Sequence, residues 1–310
     1  MRIGVALGVR GRPYWTPAAM ADERDAAAAR RLDAAWVSQG IGVDALTLLA
    51  AWDPVPGLEM GTAVVPAQTR HPLVMAQQVA TATTVRGPLT LGIGLGHREV
   101  LGPNYGQGGP RRVDWLREYL TVLQALLRGE AVDHVGAHFE VRAQLALPPA
   151  PRPDIVLAAL GPRMLDLAAE LTAGTILWRT GPVAVAMHVR PLIDEAAARH
   201  GRPPPRVLVG LPVIATGTSA AEHETARQFV DDAEAFAWTL PTYRASFERE
   251  GITRASEMAL IGTADEIREK VAVLEAAGAT DLIAVLHDVG DLELTWAVLG
   301  EIAAEQRRAG

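Results

Sequence analysis

From its first residues to its last, the chain alternates between short apolar runs and longer, alanine-rich helical patterns. Eight runs read as strands: Arg2–Gly8, Ala35–Ser38, Leu58–Val65, Leu89–Leu95, Asp154–Leu160, Gly174–Trp178, Arg206–Ala215 and Asp281–Leu286. They are apolar along nearly their whole length, which suits parallel strands buried on both faces. Helical patterns separate them at Ala18–Leu32, Val43–Ala51, Pro72–Val85, Arg111–Leu127, Pro162–Leu171, Val183–His200, Ala220–Glu250 and Asp265–Ala277, and a last one covers Leu292–Arg307. Eight such repeats predict an α/β fold closed into a (β/α)8 TIM barrel, because an open sheet this wide tends to split or to carry obvious edges. A doubly wound open sheet is the alternative. Gly129–Pro149 reads as a β-hairpin inserted between the fourth and fifth strands, turning at Gly136. No low-complexity linker divides the chain, so residues 1–310 are expected to form a single barrel domain.

Composition removes several function classes. The chain has no cysteine, so disulfides, thiol nucleophiles and thiolate metal sites are excluded. Net charge is −7 with no basic cluster, which gives no footprint for nucleic acid or an anionic membrane. No apolar run approaches the length of a membrane span. The first residues read as a buried strand rather than a signal peptide, because Arg10 and Arg12 follow at once. A cytoplasmic location is the expectation. His134 and His138 stand four apart but in the predicted hairpin, with no third ligand nearby, so they are assigned to its surface and no metal is expected. Neither a G-x-S-x-G elbow nor a Walker A sequence occurs.

Barrels of this kind carry their chemistry at the C-terminal ends of the strands. The segments there are Gly8–Tyr14, Ser38–Gly42, Val64–Arg70, Gly94–Pro110, Leu160–Arg163, Trp178–Gly181, Pro212–Gly217 and Leu286–Gly290. Gly92-Ile93-Gly94-Leu95-Gly96-His97 approaches a dinucleotide fingerprint, but its third glycine is replaced by His97, and Gly102–Pro110 reads as a connection or mobile lid where a helix should open. Gly94 and Gly96 either let the strand pack tightly or let a flat ring approach the backbone. His97, at the mouth end of the fourth strand, is a candidate proton shuttle, with a loop-holding histidine as the plainer reading. Leu160-Gly161-Pro162-Arg163 joins the fifth strand to a helix. The free N–H groups there, the helix dipole and Arg163 would make an anion site, although ordinary βα turns look alike. Trp178 ends the sixth strand at the mouth.

These pieces, taken in order, resemble a known family. Gly61-Thr62-Ala63-Val64-Val65-Pro66, His71-Pro72, Ala76-Gln77-Gln78-Val79-Ala80-Thr81 and Leu91-Gly92-Ile93-Gly94 are similar to the signature block of luciferase-like flavin and deazaflavin oxidoreductases. Arg117–Leu120, Leu126–Glu130, Ala158–Pro162, Ala173–Thr175 and Ile261–Ile267 followed by Ala277–Asp281 agree in order and spacing, so the likeness covers nearly the whole chain. It implies a barrel with insertions, a homodimer, and a non-prolyl cis peptide near Ala63–Val64 that supports one face of the cofactor ring. It also implies a cofactor phosphate held around Gly161. Two positions depart from the family's F420-dependent sugar-phosphate dehydrogenases. Gln39-Gly40 stands where those have Asp-His after the second strand, and His97 where they have Glu. The overall pattern is closer to F420-dependent members of unassigned substrate.

The expectation is therefore hydride transfer between the deazaflavin coenzyme F420 and a small organic substrate. Ser38, Gln39 and His97 would bond the ring or substrate, Ala63 and Val64 would support the ring, and Gly94 and Gly96 would lie under it. Leu160, Gly161, Pro162 and Arg163 would hold the phosphate, Trp178 would stand at the mouth, and His97 would act in catalysis. The alternatives are an FMN-dependent monooxygenase fed by a separate reductase, and a barrel that binds a flavin without turning it over.

Overall fold

The computed structural model describes residues 1–12, 15–106, 113–147 and 151–309. Its strands are β1 (Arg2–Arg10), β2 (Ala34–Val37), β3 (Glu59–Thr62), β4 (Val65–Pro66), β5 (Thr90–Gly94), β6 (Val132–Val135), β7 (Glu140–Ala143), β8 (Asp154–Ala158), β9 (Gly174–Trp178), β10 (Arg206–Ala215), β11 (Leu260–Gly262) and β12 (Asp281–His287). Eight of them close a parallel barrel in the order β1-β2-β3-β5-β8-β9-β10-β12, with β12 paired back to β1 and β9 to β10. The open-sheet alternative is thereby excluded.

The helices are α1 (Pro17–Ala29), α2 (Ala45–Ala50), α3 (Pro72–Arg86), α4 (Arg98–Tyr105), α5 (Val113–Leu127), α6 (Pro162–Leu171), α7 (Pro182–Ala184), α8 (Arg190–Arg199), α9 (Ala220–Trp238), α10 (Pro241–Glu250), α11 (Ala264–Ala276) and α12 (Leu292–Ala309). Their starts follow local chemistry. Thr16 caps α1 and Asp44 caps α2 through side-chain oxygens, and Thr263 with Glu266 forms a capping box on α11. Pro stands in the first turn of α1, α3, α6 and α10. The outward-facing strand residues and the inner helix faces make one continuous apolar layer.

Inside the barrel the packing is set by two indoles. Trp36 is 1% exposed, and Gly4 and Gly61 face it; a Cβ on Gly61 would lie 2.4 Å from the Trp36 ring. Gly210 faces Trp178 in the same way, with 2.5 Å to a built Cβ. The N-terminal end of the barrel is closed by charge. Arg206 donates to Asp281 at 2.6 Å and to Glu59 at 3.1 Å, and Arg2 also pairs with Glu59.

Several elements differ from their sequence reading. The third strand, read as Leu58–Val65, is interrupted at Ala63-Val64, and only Glu59–Thr62 and Val65–Pro66 pair. Residues 102–105 of the expected Gly102–Pro110 lid belong to helix α4, which starts at Arg98, while positions 107–110 lie outside the described residues. The same holds for Pro13 and Tyr14 of the first mouth loop, for Arg111 and Arg112 of the predicted fourth helix, and for Pro148-Pro149-Ala150. The Ala220–Glu250 helix is two helices, broken where Pro241 opens the second. The Val183–His200 helix contains a π turn over Val185–Val189, just before Pro191, which has no N–H to donate. β11 has no counterpart in the sequence reading, being three residues long. The β6–β7 hairpin docks on α5, where the Glu118 carboxylate accepts from the backbone of His138 and Phe139. His134 and His138 face α5 as well, bonding Glu118 and Asp114, rather than lying free on the hairpin surface.

Candidate active site

At the C-terminal end of the barrel a cavity of about 570 Å³ opens between the strand ends, α4 and α10. That size lies within the ordinary range for small-molecule sites. One wall is apolar: Ala63 and Val64 after β3, Ala158 on β8, Ile176 on β9 and Met164 on α6. The Ala63–Val64 peptide is cis, at the position where the resemblance puts one. Ser38 Oγ donates to the Ala63 carbonyl at 2.8 Å.

The sequence candidates do not all meet in this space. Ser38, Gln39, Ala63, Val64, Gly96, His97, Leu160, Gly161 and Trp178 line it; Gly94, Pro162 and Arg163 do not. Gly94 lies beneath Val64 and against Ala158, where a Cβ would come within 2.8 Å of the alanine methyl, so tight packing accounts for it. Gly96 has φ +53 and a built Cβ 2.9 Å from Leu101, so helix α4 requires glycine there. Gln39 lines the cavity but spends its amide on α2. Its Oε1 accepts from Ala45 N–H at 3.2 Å, and its Nε2 donates to Asp44 at 3.3 Å. Asp44 is also paired with Arg70, and its carboxyl is held below the usual range: burial opposes this, but the Thr47 hydrogen bonds and the Arg70 charge outweigh it.

His97 precedes α4 as its N-cap residue, and its ring packs on Tyr243 of α10 with centroids 4.9 Å apart. A helix does open directly after the glycine run, contrary to the sequence reading; the closed barrel is what removes the dinucleotide fold. Gly161 is the N-cap of α6, with no side chain capping the helix and nothing within 4 Å of a built Cβ. Pro162 has no N–H and the Met164 N–H donates to the Gly161 carbonyl at 2.9 Å, so in the first turn of α6 the Arg163 N–H is the one left without a bond among the described residues, and the Arg163 side chain is exposed beside it. His188 bonds the Leu160 carbonyl at 3.0 Å and anchors this turn from π-turn residues.

Sequence reasoning missed the polar side of the mouth. Arg10 of β1, Arg179 after β9 and Tyr243 all line the cavity. Arg179 pairs with the buried Glu234 of α9 and lies over the Tyr243 ring, 4.8 Å from its centroid. Burial opposes the Arg179 charge, but Tyr243 and Glu234 outweigh it and the guanidinium holds its proton more firmly than usual. Burial pushes the Tyr243 phenol up, so it stays protonated. A second cluster, Asp166, Glu170 and His200, lies outside on α6 and α8, where Arg199 and Arg117 already pair with its carboxylates.

The sequence model of the luciferase-like monooxygenases matches residues 1–281. The chain belongs to that family. Among curated relatives of this luciferase-like chain is a Mycobacterium tuberculosis protein that carries the name of a coenzyme F420-dependent oxidoreductase. It is 25% identical, over 91% of this chain and 94% of its own. Solved structures with the same fold include an F420-dependent secondary alcohol dehydrogenase in complex with an F420-acetone adduct. It has TM-score 0.80 and 16% identity, covering 97% of each chain. Another is the FMN-bound oxygenating constituent of 3,6-diketocamphane monooxygenase from Pseudomonas putida, with TM-score 0.75 and 19% identity over 98% of this chain and 97% of that one. Among the described residues no helix is long and apolar enough to cross a membrane.

Proposed function

We propose that this luciferase-like barrel is a coenzyme F420-dependent oxidoreductase that moves a hydride to or from a small organic substrate. The observation that carries the reading is the full-length likeness to the Mycobacterium tuberculosis protein that carries the name of a coenzyme F420-dependent oxidoreductase, joined to a cavity that has an apolar wall and lies beside the start of α6. The apolar wall of Ala63, Val64, Ala158 and Ile176 suits one ring face. The uncapped start of α6, with Arg163 beside it, suits a phosphate. The residues present therefore fit the group.

When bound, the deazaflavin would supply the hydride chemistry at its C5. The chain would do the rest. Ser38 and the Ala63–Val64 peptide would set the height of the ring in the barrel mouth. Gly161 and Arg163 would hold the phosphate, and Trp178 and Met164 would keep water from the reacting face. His97 would hold or accept the proton at the substrate oxygen. The barrel would work as a homodimer, as the resemblance implies.

The FMN-dependent monooxygenase is kept as a second reading because an FMN-bound monooxygenase shares the fold over nearly the full chain. Oxygen electrode traces separate the two. Oxygen uptake driven by reduced FMN, with no turnover of F420 on any alcohol or carbonyl compound, would replace the first reading with the second.

A further inference from the structure

β1 and β12 run side by side with Gly4 opposite Ile283, Ala6 opposite Val285 and Arg10 opposite His287. Ala6, Ile283 and Val285 pack together inside the barrel. Alternation along a strand then turns His287, two residues beyond Val285, to the same inner face at the mouth. His287 is 1% exposed, and neither ring nitrogen has a hydrogen-bond partner among the described residues. Its ring meets Phe229 edge-on, centroids 5.4 Å apart. Burial, and then the charges of Arg10 and Arg179, push its pKa down to about 3, so the ring is neutral and keeps one free N–H.

Arg10 lines the cavity beside it. Its guanidinium makes no ion pair or hydrogen bond with any described residue. The buried acids among the described residues are Glu23, Glu234 and Asp281. Glu23 is taken by the Gly8 and Val9 N–H groups and by Arg12. Glu234 is taken by Arg179, and Asp281 by Arg206 at the far end of the barrel. Two guanidinium groups therefore share the one Glu234 charge at this wall: Arg179 pairs with it directly, while Arg10 feels it without a hydrogen bond, against burial and the Arg179 charge, and lines the cavity. A buried cation with no direct partner is costly and calls for an anion. Arg179 takes up a left-handed backbone conformation, φ +55, that residues with a side chain seldom adopt, and its head lies on Glu234 and Tyr243.

We propose that Arg10, backed by Arg179 and flanked by His287, is an oxyanion pocket that receives a carboxylate or phosphate group of the substrate. The proposal rests on the reading of this cavity as the reacting site, and narrows the substrate to an anionic compound. The planar guanidinium fork fits either oxyanion. The pocket is built on β1, β12 and the segment after β9, whereas the cofactor phosphate is assigned to the start of α6, after β8, in the same cavity.

The test is a set of titrations of the full chain with succinate, inorganic phosphate and uncharged succinamide, read by tryptophan fluorescence, since Trp15 and Trp178 line the cavity. Saturable binding of succinate or phosphate, with succinamide at least ~10-fold weaker, is expected, and the tighter of the two anions names the source. Arg10→Met should lose that binding about 10-fold, Arg10→Lys should restore part of it, and both should keep their F420 affinity. Equal binding of succinate and succinamide by the wild-type chain overturns the pocket without relying on any variant. So does anion binding unchanged in a folded Arg10→Met chain. Loss of F420 affinity in Arg10→Met would give the charge to the cofactor and also overturn it. Anion binding with no F420 binding would leave the pocket standing and remove the deazaflavin reading instead.

Discussion

The His97 imidazole lies against the Tyr243 ring, centroids 4.9 Å apart and planes inclined by 52°. This contact joins the start of α4 to α10 at the cavity, which both side chains line. If His97 moves the proton, His97→Ala should lower turnover by about 10²–10⁴-fold. F420 affinity should stay within about threefold. Steady-state rates and a cofactor titration on the same preparation check both halves, and unchanged turnover would remove the residue from the chemistry.

Arg163 should act on affinity alone. Arg163→Gln is expected to weaken F420 binding a few fold, and more at low ionic strength than at high, because the side chain is exposed and its charge is screened. Titrations at two salt concentrations read this directly. An effect on turnover at saturating cofactor would contradict a purely phosphate-holding role.

The floor of the barrel should govern acid stability. Asp281 is 2% exposed, and Arg206→Met leaves it without its closest cation. Breaking a buried pair in this way costs about 3–5 kcal/mol, measurable by urea unfolding. Glu59 is held below the usual carboxylate range; burial opposes this, and Arg206, Thr90 and Arg2 outweigh it. Its contribution is present above the unfolded pKa, near 4.3, and is lost as pH falls through the lower folded value. The wild-type midpoint should therefore drop on acidification below about pH 4, and Arg206→Met should flatten that drop.

Two glycines should resist even alanine. A Cβ on Gly92 would sit 1.9 Å from the Thr62 carbonyl oxygen, so Gly92→Ala must move β3 away from β5. A Cβ on Gly210 meets the Trp178 ring at 2.5 Å and would push the indole toward the cavity. Each should cost about 1–3 kcal/mol, but only Gly210→Ala should also shift tryptophan emission and weaken cofactor binding. Thermal unfolding and fluorescence spectra separate the two.

The barrel was legible because short, continuous apolar runs alternate eight times with longer helical patterns, which buried parallel strands and their crossover helices require. Gly161-Pro162 was legible for a similar reason: those residues have one conformational use at a strand-to-helix turn. Helix α4 was not, because Gly102 and Pro103 look like breakers. In so short a helix Pro103 removes only the bond to the Glu99 carbonyl, and Gly106, at φ +66, ends the helix three residues on. For Gly94 and Gly96 the sequence left tight packing and a ring seat open, because neither the Ala158 contact nor the fold of α4 that brings Leu101 onto Gly96 shows in the local pattern. Arg10, Arg179 and His287 form no motif. Both arginines fall in mouth segments, but only strand register shows that Arg10 and His287 stand together.

The most direct test of the account is a fluorescence titration of the purified protein with oxidised coenzyme F420, run in parallel with FMN. Saturable binding of F420 at low micromolar concentration, with FMN at least ~10-fold weaker, is the predicted result. Preference for FMN, or binding of neither, would contradict it.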